Sequence, residues 1–217
     1  MGMSRIYVVG LTGPTGAGKS LVSALLKEHG IQSVDADVIG RAVTEKNSRG
    51  LYELSVAFGD DIIKPDGTLD RPLLAKKAFS DPEKLRLLND ITHPLITMEI
   101  RRRIRELENE GVSIVSLDAA LLFESGADIL CNDTIAVLAD RAVRKKRIIA
   151  RDSLSEEDAD RRINAQKSDE YYLSKANHTV YNNGDIGKLT ADLVPIVRKM
   201  ECEAAIRSGI PDIHTHF

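Results

Sequence analysis

Residues 13–20 read Gly13-Pro14-Thr15-Gly16-Ala17-Gly18-Lys19-Ser20 and match G-x-x-x-x-G-K-[ST] in full. The chemistry of that pattern is a grip on polyphosphate. Glycines let the backbone curl until successive N–H groups point inward, and a helix starting at the lysine adds its partial positive charge. Lys19 is expected to reach the β and γ phosphates, and the Ser20 hydroxyl to ligate Mg²⁺. The flanks supply the right context: an apolar run from Ile6 to Leu11 precedes the octapeptide, and a helical pattern from Ser20 to Leu26 follows it. Strand, glycine loop and helix together predict a nucleoside triphosphate site.

Phosphoryl chemistry also needs carboxylates and further cations. Asp35 and Asp37 end a second apolar run, and residues at i and i+2 of an extended chain project to one side. Strand C-termini in a parallel sheet face the ligand crevice, so a carboxylate there can act as general base, worth roughly 10²–10⁴-fold in rate. One of the two can equally cap the next helix, Asp35 above all. Asp118 follows a third apolar run, where a carboxylate assists Mg²⁺ directly or through water; a turn-forming role is its other reading. Arg144, Arg147 and Arg151 stand at i, i+3 and i+7 and share one helix face. Asp152-Ser153 breaks that helix, and Ser155-Glu156-Glu157-Asp158 resembles a capping box opening a second one that carries Arg161 and Arg162. Charge pattern alone fits a solvated hairpin. Beside a phosphate loop, the arginine face also fits a clamp on the transferring group.

A phosphate loop by itself does not separate kinases from switches and motors. Asp37-Val38-Ile39-Gly40 matches D-x-x-G, but no N-K-x-D follows to select guanine, and no LSGGQ-like segment marks an ABC-type ATPase. A small-molecule kinase remains, with acceptor site and cover built from insertions. Its rivals are a kinase of another small hydroxylated metabolite or nucleotide, and a non-catalytic ATP-binding regulator.

The elements that position these residues follow from periodicity. Short apolar runs at Ile6–Leu11, Ile31–Val34, Ser113–Leu117, Thr134–Leu138 and His178–Tyr181 alternate with helical segments, which predicts an α/β fold whose parallel sheet is covered on both faces. Between the second and third runs lie roughly 70 residues of helical pattern, far more than a crossover needs, hence an insertion with its own task. Asp81-Pro82-Glu83 reads as a helix start. His93-Pro94 reads as the start of another, with Ile96, Ile100, Ile104 and Leu107 on its core face. The last helix carries Pro195 as an expected kink, and Gly209 to Phe217 reads as a loose tail whose histidines make no metal site.

The 217 residues suit one α/β domain with inserted parts, at 42% hydrophobic and 29% charged. A net charge of −3 forecasts neither nucleic acid nor an anionic membrane as partner. No apolar run reaches the roughly 18 residues of a spanning helix, the N-terminus shows no signal pattern, and Ile6 stands where myristoylation of Gly2 needs Ser or Thr. Cys131 and Cys202 form no framework, which suits a reducing cytosol, and a monomer is expected.

Taken together, these residues resemble the dephospho-CoA kinase family. The resemblance runs through Leu11 to Ser20, Asp35 to Arg41, Phe58-Gly59, Asp66 to Arg71, Asn89 to Ile96 with His93-Pro94, Asp118 to Glu124, Arg151-Asp152, Gln166 and Asn182-Asn183-Gly184, in the family's order over nearly the whole chain. It implies a P-loop NTPase fold with a five-stranded parallel sheet flanked by helices, a helical acceptor-binding insertion and a helical lid. The single domain 1–217 would comprise a core (1–40, 112–140 and 175–208), an insertion at 41–111 and a lid at 141–174. The activity implied is ATP-dependent phosphorylation of the ribose 3′-hydroxyl of dephospho-CoA, with Mg²⁺. Asp37 would be the base, with Lys19, Arg147 and Arg151 completing the catalytic set. ATP would contact Gly13 through Leu21, Arg147, Asn182 and Gly184, the last two near the adenine unless that loop is a plain Asn-Gly turn. Asp37, Arg71, His93 and Leu122 would meet the acceptor, and Ser20 and Asp118 the metal. Leu21, Ala120 and Tyr181 depart from the residues common in the family.

Overall fold

A computed structural model of the chain describes residues 5–209. The expected tail beyond Gly209 lies outside the described residues. Five strands form one sheet: β1 (Tyr7–Thr12), β2 (Gln32–Asp35), β3 (Ile114–Asp118), β4 (Asp133–Leu138) and β5 (His178–Tyr181), in the order β2-β3-β1-β4-β5. β1 pairs in parallel with β3 on one side and β4 on the other, and β4 pairs in parallel with β5. Every residue of β1, β3 and β4 is buried. Strands covered on both faces are mostly apolar on both, which is why these runs show no polar–apolar alternation.

The helices are α1 (Lys19–Glu28), α2 (Ala36–Ala42), α3 (Arg49–Phe58), α4 (Arg71–Ala78), α5 (Pro82–Asn109), α6 (Arg141–Asp152), α7 (Glu156–Asn164), α8 (Asp169–Leu173) and α9 (Ile186–Ser208). Local side chains start several of them. Ser48 accepts from Leu51 N–H, Asp70 from Leu73 N–H, Ser155 from Asp158 N–H and Asp185 from Lys188 N–H. Each such cap is worth about 0.5–2 kcal/mol.

The chain divides into two compact units, one ending at Val34 and resuming at Glu106, the other spanning Asp35–Arg105. In the first, Tyr7, Val9 and Leu11 of β1 pack with Val22 and Leu26 of α1 and with Leu189, Leu193, Val197 and Met200 of α9. In the second, Leu51, Leu54 and Phe58 of α3 close over Ile62, Leu69, Leu74 and Ala78, with Leu88 and Ile91 of α5 packed against them. Burying each large aliphatic side chain contributes about 1.5–3 kcal/mol, so each unit has a core of its own.

Two local expectations change. No helix starts at His93-Pro94, because α5 runs without interruption through Pro94. A proline inside a helix forfeits one backbone hydrogen bond. Here the ring is exposed, and apolar residues on both sides of it, Leu88 and Ile91 before and Leu95 and Ile100 after, are at least partly buried and hold the helix together. Asp35 and Asp37 likewise do not form an extended pair. The strand stops at Asp35, whose carboxylate accepts from the N–H groups of Asp37 at 2.8 Å and Val38 at 2.9 Å and so starts α2.

Candidate active site

The glycine loop leaves the C-terminal end of β1, the central strand, and turns into α1 at Lys19. In a sheet wound outward from its middle, that end is where ligands bind. Geometry requires glycine in this loop, as Gly13 and Gly18 show. A Cβ on Gly13 would lie 2.2 Å from the Val137 carbonyl oxygen of β4. Gly18 has φ +94°, and a Cβ there would stand 2.1 Å from the Asn182 amide nitrogen.

The carbonyl groups of Thr15, Gly16 and Ala17 are turned onto donors from elsewhere in the same unit. Arg144 Nε donates to the Thr15 carbonyl at 3.0 Å. Arg147 Nη1 donates to the carbonyls of Gly16 and Ala17, each at 3.2 Å, and to that of Asn182 at 2.9 Å. Asn182 Nδ2 donates to the Ala17 carbonyl at 2.9 Å, and its Oδ1 accepts from Arg147 at 3.2 Å. Gln166 Oε1 accepts both the Thr15 N–H, at 2.9 Å, and Arg144 Nη2, at 3.1 Å. Arg151 Nη2 reaches the Thr15 hydroxyl at 3.4 Å while its guanidinium pairs with Asp152. Thr15 is therefore gripped at its N–H, its carbonyl and its hydroxyl.

This arrangement has an electrostatic consequence. Carbonyl oxygens repel an anion, and here they are neutralised from behind by guanidinium and amide donors. Among the described residues, the N–H groups of Gly16, Gly18 and Ser20 donate to no protein acceptor. Unsatisfied N–H groups at a helix N-terminus are an anion site. Arg144 bears the cost of supporting the loop. It is buried, which draws its pKa below the usual arginine value, against the opposing pull of Asp169. Its hydrogen bonds to Thr15 and Gln166 offset that desolvation.

The Lys19 ammonium contacts the Asp118 carboxylate at the end of β3, and both groups are largely enclosed. Ser20 is exposed in the first turn of α1. A hydroxyl and a carboxylate are hard oxygen ligands that fit Mg²⁺, which commonly takes one or two protein oxygens and completes its shell with waters and substrate phosphates. The described residues hold no cluster of three or more His, Cys, Asp or Glu suited to an all-protein metal site.

Pro14 is buried in the loop, and Leu21 turns its side chain toward the core while its N–H bonds the Gly18 carbonyl at 3.0 Å. Asn182 is buried beneath the loop, with both ends of its amide engaged there. Gly184 lies in open space, and Asn183 accepts from the Asp140 N–H at the start of α6. Leu122 is wholly buried and packed over Gly10. In the helical unit, Asp37 is exposed in the first turn of α2, and among the described residues its carboxylate has no hydrogen-bond or ion-pair partner. Arg71 Nη2 donates to the Arg41 carbonyl at 3.2 Å and the Thr44 hydroxyl at 3.0 Å, which ties it to the end of α2. His93 lines a groove of about 590 Å³ along α5.

Sequence reasoning did not give Arg144 and Gln166 their task of holding Thr15. The arginine spacing pointed to a face, whereas a single glutamine after α7 carries no local signal at all.

A family model described as dephospho-CoA kinase matches residues 7–188. The chain is 42% identical over 192 residues to a dephospho-CoA kinase of Corynebacterium glutamicum, covering 88% of this chain and 96% of that one. It is 43% identical over 183 residues to the enzyme of the same name in Corynebacterium efficiens, covering 84% and 92%. A crystal structure from Thermus thermophilus superposes with a TM-score of 0.76 at 32% identity, over 89% of this chain and 97% of that one. With the phosphate loop, the parallel sheet and the helical insertion all in place, the chain belongs to the dephospho-CoA kinase family.

Proposed function

We propose that this chain transfers the γ-phosphoryl group of ATP to the ribose 3′-hydroxyl of dephospho-CoA, giving coenzyme A and ADP. The observation that carries the reading is the loop itself: the carbonyls of Thr15, Gly16 and Ala17 are tied back by Arg144, Arg147 and Asn182, and the N–H groups of Gly16, Gly18 and Ser20 are left for an anion. Membership of the kinase family supplies the acceptor.

The triphosphate settles on Gly13 to Ser20, and the Lys19 ammonium exchanges Asp118 for β and γ phosphate oxygens. Ser20, assisted by Asp118, would hold Mg²⁺, which when bound would supply charge neutralisation to the transferring group. Arg147, seated under the loop, fixes the phosphates in line, and Arg151 is the guanidinium with the greater freedom to follow them, being 61% exposed. Positioning and charge neutralisation carry most of phosphoryl transfer. Asp37 orients the acceptor hydroxyl and takes its proton. Arg71, His93 and Leu122 are the further residues assigned to the acceptor.

The segment 141–174 serves as lid. Its hairpin has a small core of its own, Ile148, Ala159 and Ile163, and ion pairs from Arg141 and Lys145 to Asp160 join its two helices. Closure there excludes water as a competing acceptor. Among the described residues no helix is long and apolar enough to cross a membrane, and both cysteines are free thiols. A monomer in a reducing cytosol is the working form we infer.

The test is ADP release from Mg·ATP with dephospho-CoA, set against adenosine, AMP, CMP and gluconate. Dephospho-CoA should be the preferred acceptor, and Asp37→Asn should lower turnover by roughly 10²-fold or more with ATP binding retained. Near-normal turnover in that variant removes Asp37 from the role. Transfer only to another acceptor removes the substrate.

A further inference from the structure

Helix α5 carries four arginines near its end, and they fall into two kinds. Arg102 and Arg103 both pair with the Glu99 carboxylate, at 2.6 and 3.4 Å. Arg101 and Arg105 have no ion-pair or hydrogen-bond partner among the described residues. They stand at i and i+4, so their side chains share a helix face, where like charges oppose each other. They also line one end of the groove of about 590 Å³ that continues past Met98, Thr97, Pro94 and His93 to Asn89 and Asp90.

The groove thus has two chemical halves. At one end, two exposed guanidiniums share a concave surface with no carboxylate to neutralise them. The acid of the groove, Asp90, lies some 16 Å away along the helix axis from Arg101, by the rise of about 1.5 Å per residue. That is beyond a Debye length at physiological salt. At the other end, amide, hydroxyl and apolar groups alternate. Guanidinium forks match the oxygens of phosphate esters better than any other side chain, and two of them one turn apart can close on neighbouring phosphates. The ligand that fits is a nucleoside diphosphate ester bearing a flexible, amide-rich arm.

We propose that Arg101 and Arg105 are the subsite for the diphosphate of the acceptor, with its amide-bearing arm laid along α5 past Met98 and Thr97. The assignment rests on the acceptor being dephospho-CoA. It explains why these two arginines are left uncompensated while their neighbours are paired.

The experiment is steady-state kinetics of Arg101→Gln, Arg105→Gln and the double variant with Mg·ATP, using dephospho-CoA and adenosine as acceptors. Each single change should raise KM for dephospho-CoA roughly ten-fold or more, since a hydrogen bond to a charged group is lost. KM for ATP should stay within about two-fold of wild type, and the preference for dephospho-CoA over adenosine should narrow by the same factor, because adenosine carries no diphosphate. The rise of KM with ionic strength should flatten in the double variant. Arg101→Lys and Arg105→Lys should fall in between, keeping charge but losing the fork. Unchanged KM and salt dependence in the double variant overturn the subsite, as do equal losses on both acceptors. Wild-type protein that transfers nothing to dephospho-CoA overturns the functional reading and the subsite together.

Discussion

Replacing Gln166 by leucine should loosen the phosphate loop while leaving every residue assigned to ATP in place. The side chains are similar in size, so the change removes chiefly one acceptor. That oxygen takes the Thr15 N–H at 2.9 Å and Arg144 Nη2 at 3.1 Å. A part-buried N–H left unpaired costs about 1–3 kcal/mol, and a hydrogen bond from a charged group is worth about 1.5–3 kcal/mol. Gln166 is half-buried, so water recovers part of both, and about 2–3 kcal/mol is the expected net loss. Arg144 Nε still holds the Thr15 carbonyl, so the loop is loosened rather than unfolded. If ATP must then reorder the loop, KM for ATP rises about 30- to 150-fold, at 1.4 kcal/mol per decade. Gln166→Glu keeps an acceptor and places a charge opposite Arg144, so its KM should stay within about five-fold. The assay is coupled ADP release at saturating acceptor over an ATP titration, with thermal melts of both variants. A KM for ATP within about three-fold of wild type in Gln166→Leu would falsify the idea that this side chain holds the loop, leaving it only a packing role.

Two other perturbations test the frame around the site. Gly13→Ala puts a methyl 2.2 Å from a backbone carbonyl of β4, which cannot rotate away; an overpacking cost of about 1–3 kcal/mol or more should appear as a lower melting temperature and weakened ATP binding. An alanine variant that melts and binds ATP like wild type contradicts the close approach of loop and strand. At the other end of the sheet, the buried Asp133 carboxylate accepts from His178 at 2.8 Å, Lys199 at 3.1 Å and Tyr7 at 3.4 Å, and Tyr7 also donates to Glu203 at 2.9 Å. Burial pushes the pKa of Asp133 up, but the bonds from His178 and Lys199 outweigh it and hold the group below the usual carboxylate range. A depressed folded value gives stability that is present above the unfolded value of about 3.9 and lost as pH falls through the folded one. Asp133→Asn should therefore be about 1–2 kcal/mol less stable than wild type at pH 7, with the gap closing below about pH 4, in urea unfolding. A gap that stays constant down to pH 3 rules out the ionised form as its source.

Much of the architecture was legible because its causes are local. Fully buried parallel strands demand unbroken apolar runs, and all five runs in the sequence became strands to within one residue at either end. The breaks were equally legible: Ser153 adopts a left-handed conformation after α6, and Ser155 caps α7. Arg144, Arg147 and Arg151 were expected on one face and all three reach the loop. The Asp66 to Arg71 motif was matched as a string, and its meaning came only with coordinates. Asp66 closes a turn onto Thr68, Asp70 caps α4, and Arg71 ties α4 to the end of α2.

The sequence by itself determined the phosphate loop, the strands and the helix caps, because those depend on contacts within a few residues along the chain. Tertiary structure alone decided which partner each side chain takes. Pro94 was carried inside a helix, and Asn182 went beneath Gly18 instead of standing free in a turn. The bond from Thr15 to Gln166 joins groups 151 residues apart. No periodicity reports such a pairing, since it exists only once the sheet order has set β1 beside β4 and α6 over the loop.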